Sequence, residues 1–466
     1  MKSYTFQDFE KATSEEQRKE FVLGAIRAHE SSELCKTAKI ADLYDRQKNK
    51  TINDYVQTIF SLTGSKLEDF TASNNKIASN FFSRLNTQRV MYSLGNGVSF
   101  LQPGEEGEDI VKEKLGKHFD HDIKEAAYYA CTHGESYVFW NVDRIHVFRV
   151  TEFVPLWDEH TGELRAGIRY WRLSAEKPMT AILYEEDGYT KFEEQDSNIT
   201  WGDKKPYAVT IAYTPASGYA EVVGEENYGK LPIVPMWASR LKQSTLIGMQ
   251  SAIDSYDLIR SGFANDLTDC SQIYWIIENA GGMTDADLNR FRDRLKLQHM
   301  AAVDGGDGAG AKPYTQEIPY KARKEYLDMI RNGLYEDFGA LDVHTVAAGA
   351  TNDHIDAAYQ PIDENADDFE FWVAECIQQI LALQGIDDYP VFKRNRISNV
   401  SEQVDIIIKE SPWLDSKTIL QKLPNIKAEE VSAIIEQTEA DEMDRMMRQP
   451  SGVSDDESTN TTDFPE

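Results

Sequence analysis

The chain has 466 residues, more than one hydrophobic core usually organises, so two or more domains are expected. With 41% hydrophobic and 11% aromatic residues it can fill substantial cores, which excludes a wholly disordered chain. Its formal net charge of −30 argues against a protein that grips nucleic acid by neutralising phosphates. Solubility is the plain account of such acidity, and a surface that repels polyanions is the sharper one.

Cys35, Cys131, Cys270 and Cys376 lie far apart without CxxC spacing, the pattern of reduced, buried thiols rather than a disulfide framework. The polar start MKSYTFQDFEKATSEEQRKEF lacks the apolar centre of a signal peptide. No apolar run approaches the roughly 20 residues that span a bilayer, so a soluble intracellular product without a membrane partner is expected.

Along the chain, residues 1–130 read as helical and polar-rich. The best helix there is 74–94, where Ile77, Phe81 and Leu85 recur at four-residue spacing before the turn GNGV. A second helix is predicted over about 119–132, ending at Gly134. From 135 to 235 the texture changes to short, β-branched and aromatic strands, with FVPLWD and ELRAGIRYWRL forming a hairpin around EHTG. The longest helix signal is 244–270, with Leu246, Met249, Ile253, Tyr256, Phe263 and Leu267 at three- and four-residue intervals. At ~1.5 Å per residue it makes a rod of about 40 Å. A small αβ insert follows: strand IYWIIEN, a helix from TDADLN that Thr284 can cap, then strands MAAVD and YTQEIP. A second long helix covers 320–339. A third runs from about Asp356 to Leu383, starting late or kinking at Pro361. Residues 384–399 are strand-like, 400–447 helical, and 448–466 an acidic, apolar-poor disordered tail.

Catalytic and metal chemistry find little support. GGDGAGAK has the glycine gap of a phosphate loop, but Ala311 stands where lysine is required and Pro313 with a strand follows. A glycine-rich turn between strands is the better reading. His118, His121, Cys131 and His133 are zinc-ligand types, yet from His121 to Cys131 one helix spans about 15 Å, so the helix would have to break to gather them. No catalytic residue, cofactor or metal site is predicted, and nothing argues for an enzyme.

The order of segments, with several local stretches, resembles the siphophage portal family of tailed bacteriophages over about 45–445. Four stretches carry the likeness: NNKIASNFFSRLNTQRVMYSLGNGVSF; ACTHGESYVFWNVD with GIRYWRL; LPIVPMWASRLKQSTLIGMQSAIDSYDLIRSGFANDL; and VFKRNRISNVSEQVD with WLDSKTILQKLPNIKAEEVSAIIEQTEADE. The residues are common ones; their order and spacing together are specific. The resemblance implies an α+β, portal-type fold assembling as a ring of about twelve copies at one capsid vertex. It implies a wing over 1–235 with 384–399, stem helices 244–271 and 320–339, a clip over 273–319, a kinked wing helix 356–383 and a crown over 400–447. The expected partners are double-stranded DNA in the channel, the terminase large subunit, a head-completion or tail connector protein, and the major capsid and scaffolding proteins. The expected setting is the virion, after assembly in the host bacterial cytoplasm.

Between the second and third long helices lies VHTVAAGATNDHI, the tunnel loop in this family. Val343, His344, Thr345, Val346, Ala347, Gly349, Asn352, Asp353 and His354 would face the DNA. On residue content alone an ordinary interhelical connector is the simpler reading. A sliding contact should interact weakly, and 343–355 carries no Lys or Arg. Lys321, Arg323 and Lys324 are candidate phosphate contacts, with solvated charges or intersubunit ion pairs as the plainer alternative. Asp285, Asp287, Arg290, Arg292 and Arg294 alternate in sign along the insert helix, as an exposed or subunit-bridging face or as a terminase dock. Two other classes stay open: an NTP-driven packaging enzyme, and a cellular α+β scaffold protein without channel symmetry.

Overall fold

The computed structural model describes residues 4–396 apart from 61–63, 71, 102–109, 143, 175, 196–197, 215–218, 271–273, 279–283, 299–309, 315–318 and 343–351, with scattered positions between 404 and 437. The chain mixes helix and sheet, an α+β arrangement, and divides into two compact units. One comprises Met1–Leu341 with Gln360–Asn395, the other Asp342–Tyr359 with Arg396–Glu466.

Four helices open the chain: α1 (Phe6–Glu10), α2 (Glu15–Glu30), α3 (Glu33–Asp45) and α4 (Lys50–Asp54). Side-chain oxygens cap the first three. At α2 the Ser14 hydroxyl accepts from the Gln17 N–H while the Gln17 side chain accepts from Ser14 N–H, a reciprocal capping box. A small hairpin, β1 (Thr58–Phe60) with β2 (Lys66–Glu68), precedes α5 (Phe81–Leu94). Thus α5 begins at Phe81 rather than at 74, because the N–H groups of Asn75, Ile77 and Ser79 are bonded to side chains outside the segment. Next come β3 (Val98–Phe100), α6 (Ile110–Leu115) and α7 (Phe119–His133).

The strand region builds two main sheets. In the first, β4 (Glu135–Asn141) lies between β5 (Arg144–Arg149) and β13 (Ile233–Trp237). The second is an antiparallel meander of β6 (Phe153–Trp157), β7 (Leu164–Arg172), β8 (Met179–Glu185), β9 (Gly188–Gln195) and β10 (Asn198–Trp201). The predicted β6–β7 hairpin is present. The Asp158 carboxylate closes its turn by accepting from the backbone N–H of His160 and Thr161. A separate ribbon pairs β11 (Ala208–Thr214) with β12 (Tyr219–Glu226). α1 and α2 form the cover of the meander: Phe9, Phe21, Val22 and Ile26 bury against Val154, Ile168, Leu183 and Phe192.

The second half supplies α8 (Leu246–Cys270), β14 (Tyr274–Glu278), α9 (Asp285–Gln298), β15 (Gly310–Tyr314), α10 (Tyr320–Phe338), α11 (Asn352–Leu383) and β16 (Pro390–Phe392). The helix expected from Asp356 starts at Asn352 and runs through Pro361 without ending. Pro361 removes one backbone donor. The face that follows offsets this: Phe369, Val373, Ile377 and Ile380 are fully buried against α5, α7 and the β13–β4–β5 sheet. Beyond it β16 pairs antiparallel with β3, and Arg394 binds Asp363, Asp367 and Glu370 on one face of α11. Cys35, Cys131 and Cys376 are buried free thiols, as their spacing predicts. Among the described residues no helix is long and apolar enough to cross a membrane. Most of 400–447 and all of 448–466 lie outside the described residues.

Candidate functional site

Two long helices with a small insert between their far ends are the feature from which a function can be built. α8 starts where α7 stops. Gly134 closes α7 at φ 97°, and a Cβ there would stand 2.8 Å from the backbone of Gln243 and Ser244. Glycine is required at that approach. Ser244 and Thr245 then donate their hydroxyls to the last carbonyls of α7, those of Thr132 and Cys131. The start of α8 is thereby fixed to the core.

α10 returns antiparallel along α8. Leu334 and Tyr335 pack beside Leu246, Met249 and Ile253 at one end, while Tyr320 lies 6.2 Å from Phe263 at the other. Gly339, left-handed at φ 65°, terminates α10. Arg323 forms an ion pair with Asp266 on α8 and lies over the Phe263 ring, so it ties the two helices together. Lys321 and Lys324 are exposed.

A polar ridge on α8 was not read from the sequence. Asp257, Ser261 and Asn265 are 0%, 2% and 3% exposed, at four-residue spacing. They accept from the backbone N–H groups of Ser79, Ile77 and Asn75 at 2.9, 3.0 and 2.6 Å. Four residues of helix rise ~6 Å and two residues of extended chain ~6.6 Å, so the two repeats stay in step over three rungs. This is why 74–80 does not join α5. Asn49 adds an amide to the Asp257 carboxylate and to the Ser79 carbonyl. Burial raises the Asp257 carboxyl above its ordinary value, against the pull of those donors. One turn earlier Asp254 accepts from Tyr44 and Thr51 at 2.5 and 2.7 Å. Burial, and then that carboxylate, push the Tyr44 phenol up to about 12. The signal available in the sequence was a run of polar residues at helical spacing inside an otherwise apolar-periodic helix.

α10 also carries more than one stripe. Ile330, Leu334 and Phe338 turn toward α8, and half-buried Leu327 shares their face. On the opposite side Glu325, Asp328, Asn332 and Glu336 are exposed at spacings of three and four, an acidic face. Between the two runs Ala322–Tyr326–Met329–Gly333, of which Gly333 is half-buried and the others exposed, Tyr326 42% and Met329 61%. An exposed apolar stripe of this kind on a charged helix is a candidate contact surface.

In the insert, β14 pairs with β15 in the register Tyr274↔Tyr314 to Glu278↔Gly310. β15 therefore begins inside the glycine-rich stretch, and Gly310–Lys312 is extended strand, with no helix N-terminus to receive a phosphate. MAAVD and most of YTQEIP lie outside the described residues. Thr284 begins α9 as expected: its N–H and hydroxyl both donate to Asp287, which holds that carboxyl below its ordinary value. Asp285, Arg290, Arg292 and Arg294 are exposed and Asp287 is half-buried; Arg290 lies 3.8 Å from Asp287, and Arg292 pairs with Asp293. The five are thus placed along one solvated helix.

Of the loop between α10 and α11, Val343, His344, Thr345, Val346, Ala347 and Gly349 lie outside the described residues. Asn352 and Asp353 open α11, His354 is exposed and Ile355 buried. The four zinc-type residues are not brought together. α7 is continuous, Cys131 is fully buried, and burial pushes its thiol up to about 11. His133 bonds Asp42 at 2.9 Å, while His118 and His121 are exposed. His121 does lie with Asp122 and Glu125 within 4.8 Å, but Asp122 already faces Arg144 at 3.5 Å.

The family described as "Phage portal protein, SPP1 Gp6-like" matches residues 23–446. The portal protein of Clostridium phage phiCD119 is 26% identical over 463 residues, covering 93% of this chain and 98% of that protein. The portal protein of Bacillus phage SPP1 is 23% identical over 385 residues, covering 76% of this chain and 73% of that protein. The chain belongs to the SPP1 Gp6-like family of phage portal proteins, structural and non-enzymatic components of the capsid vertex.

Proposed function

We propose that this chain assembles as a ring of about twelve copies whose central channel passes double-stranded DNA during packaging and ejection. The observation that carries the reading is the α8–α10 pair with its differently faced stripes. A ring of helix pairs needs one face on the partner helix, one on the neighbouring subunit and one on the channel. α10 offers a packed stripe, an exposed apolar stripe and an acidic face in that order round its surface. The acidic face supports a channel wall that repels DNA and leaves no deep trap along its path. In this reading α8 and α10 are the stem, and 273–319 is the clip that meets the terminase and later the connector. Residues 1–235 with 356–399 are the wing, 400–447 the crown, and 343–355 the tunnel loop. Lys321 and Lys324 remain available for phosphate contact, and Arg323 reaches it only by leaving Asp266.

Negative-stain microscopy with light scattering on the purified chain, alone and with capsid and scaffolding proteins co-expressed, tests the assembly. Rings of about twelve subunits with a central hole are expected. A monomer under both conditions would sink the reading.

The tunnel loop has its own test. Ala348→Lys with Ala350→Lys adds two cations to a loop without any. Rings should form normally, while DNase-protected DNA per head falls about tenfold and recovers in part at higher salt, because phosphate contacts weaken as salt rises. Unchanged packaging would remove the loop from the DNA path.

A further inference from the structure

The hairpin β1–β2 and its flanks stand apart from every core of the molecule. Both strands are exposed along their whole described length. Six large apolar side chains, Tyr55, Val56, Ile59, Phe60, Leu67 and Phe70, are between 39% and 86% exposed. None belongs to a hydrophobic cluster. An isolated two-stranded hairpin is marginally stable in water, and so large an uncovered apolar patch marks a contact surface.

Its root is fixed. Behind Phe70 the chain enters the extended segment bonded to α8, where Asn75 meets Asn265 and Thr268. The hairpin thus emerges beside the end of α8, at the level where Leu267 and Tyr320 are also exposed.

We propose that this hairpin is an arm that packs on the neighbouring copy of the chain. The inference rests on the ring reading above. Cyclic contacts are heterologous, so one patch must meet a different patch on the next subunit at the same level along the axis. The arm supplies one patch. The exposed stripe of α10, with Tyr326 and Met329, supplies the other. Each subunit would then cover its neighbour's stem and have its own arm covered in return.

The test uses the full chain with p-benzoylphenylalanine in place of Phe60 or, separately, of Phe70, irradiated after assembly. Assembled rings should give covalent dimers and higher ladders, with cross-linked peptides joining two differently tagged copies. A second variant, Phe60→Ser with Phe70→Ser, should keep the circular dichroism of the parent. It should also raise the protein concentration needed for ring formation by about tenfold or more, as expected for two uncovered aromatic rings. Intact rings without cross-links between chains would overturn the arm while leaving the ring reading in place. Cross-links to a co-expressed capsid protein instead of a second copy would overturn it equally. Absence of rings from the unsubstituted chain, with and without partners, would overturn the ring reading and the arm with it.

Discussion

Asp257→Ala should loosen the junction between the N-terminal segment and α8 more than any other single polar change in the molecule. The carboxylate accepts from Ser79 N–H on one oxygen and from the Asn49 amide on the other, and all three residues are at most 5% exposed. Alanine leaves a backbone N–H and an amide hydrogen buried without acceptors, at a cost of about 3 kcal/mol. Part of that is offset, because the mutation also removes a carboxylate that burial already disfavours. Since assembly shifts apparent stability with concentration, the effect is best read locally. Hydrogen exchange at the amides of 75–79 should accelerate by about a hundredfold, the equivalent of that energy, while the β6–β10 meander exchanges as before. Asp257→Asn keeps one acceptor and should cost about a third as much. The pH dependence has a fixed sign. A carboxyl raised in the folded chain contributes stability that is fully present below the unfolded carboxyl's pKa and lost as pH rises through the folded value. The parent's advantage over Asp257→Asn should therefore widen on acidification. Unchanged exchange at 75–79 in Asp257→Ala would show that the ridge holds nothing.

What the sequence disclosed follows the range of the interactions concerned. α8 was legible because Leu246, Met249 and Ile253 repeat at the period of the helix that buries them. The β6–β7 hairpin was legible because its turn chemistry is local to Asp158–Gly162. The onset of α5 was not, because Ile77 has a helical partner pattern in sequence but its N–H is taken by Ser261, far along the chain. β15 was displaced into the glycine stretch because its register is set by β14 across α9. Pro361 failed to interrupt α11 because the burial of Phe369 to Ile380 outweighs one missing donor. The cover that α1 and α2 provide was invisible for the same reason: its partner surface starts at Val154. At the candidate site, Arg323 was recognised as a charge but not as the partner of Asp266. The outward stripe of α10 was hidden because which side of the 320–339 helix meets α8 is set by packing far along the chain.

That second face carries the largest functional expectation. Met329→Asp should leave each subunit folded and prevent the ring from closing. Met329 is 61% exposed, and no residue of the α8–α10 core depends on it, so the monomer loses almost nothing. In the proposed ring the same position lies in the contact with the neighbouring subunit. A carboxylate there would be taken out of water opposite apolar side chains without a cation, at a cost of about 3 kcal/mol per contact, or roughly a hundredfold in each association constant. Because a ring of n copies has n such contacts, each holding one copy's Met329, the penalty enters once for each copy. Glu325→Gln with Asp328→Asn on the adjacent acidic face is the counterpart. It changes two charges on the same two turns of the same helix, and rings should persist, because that face is assigned to the channel. Sedimentation velocity separates the outcomes: slow, single subunits for Met329→Asp against intact rings for the double amide. Rings from both variants would place the contact elsewhere on the chain. Loss of rings from the double amide alone would exchange the roles of the two faces, with the acids between subunits and the apolar stripe toward the channel.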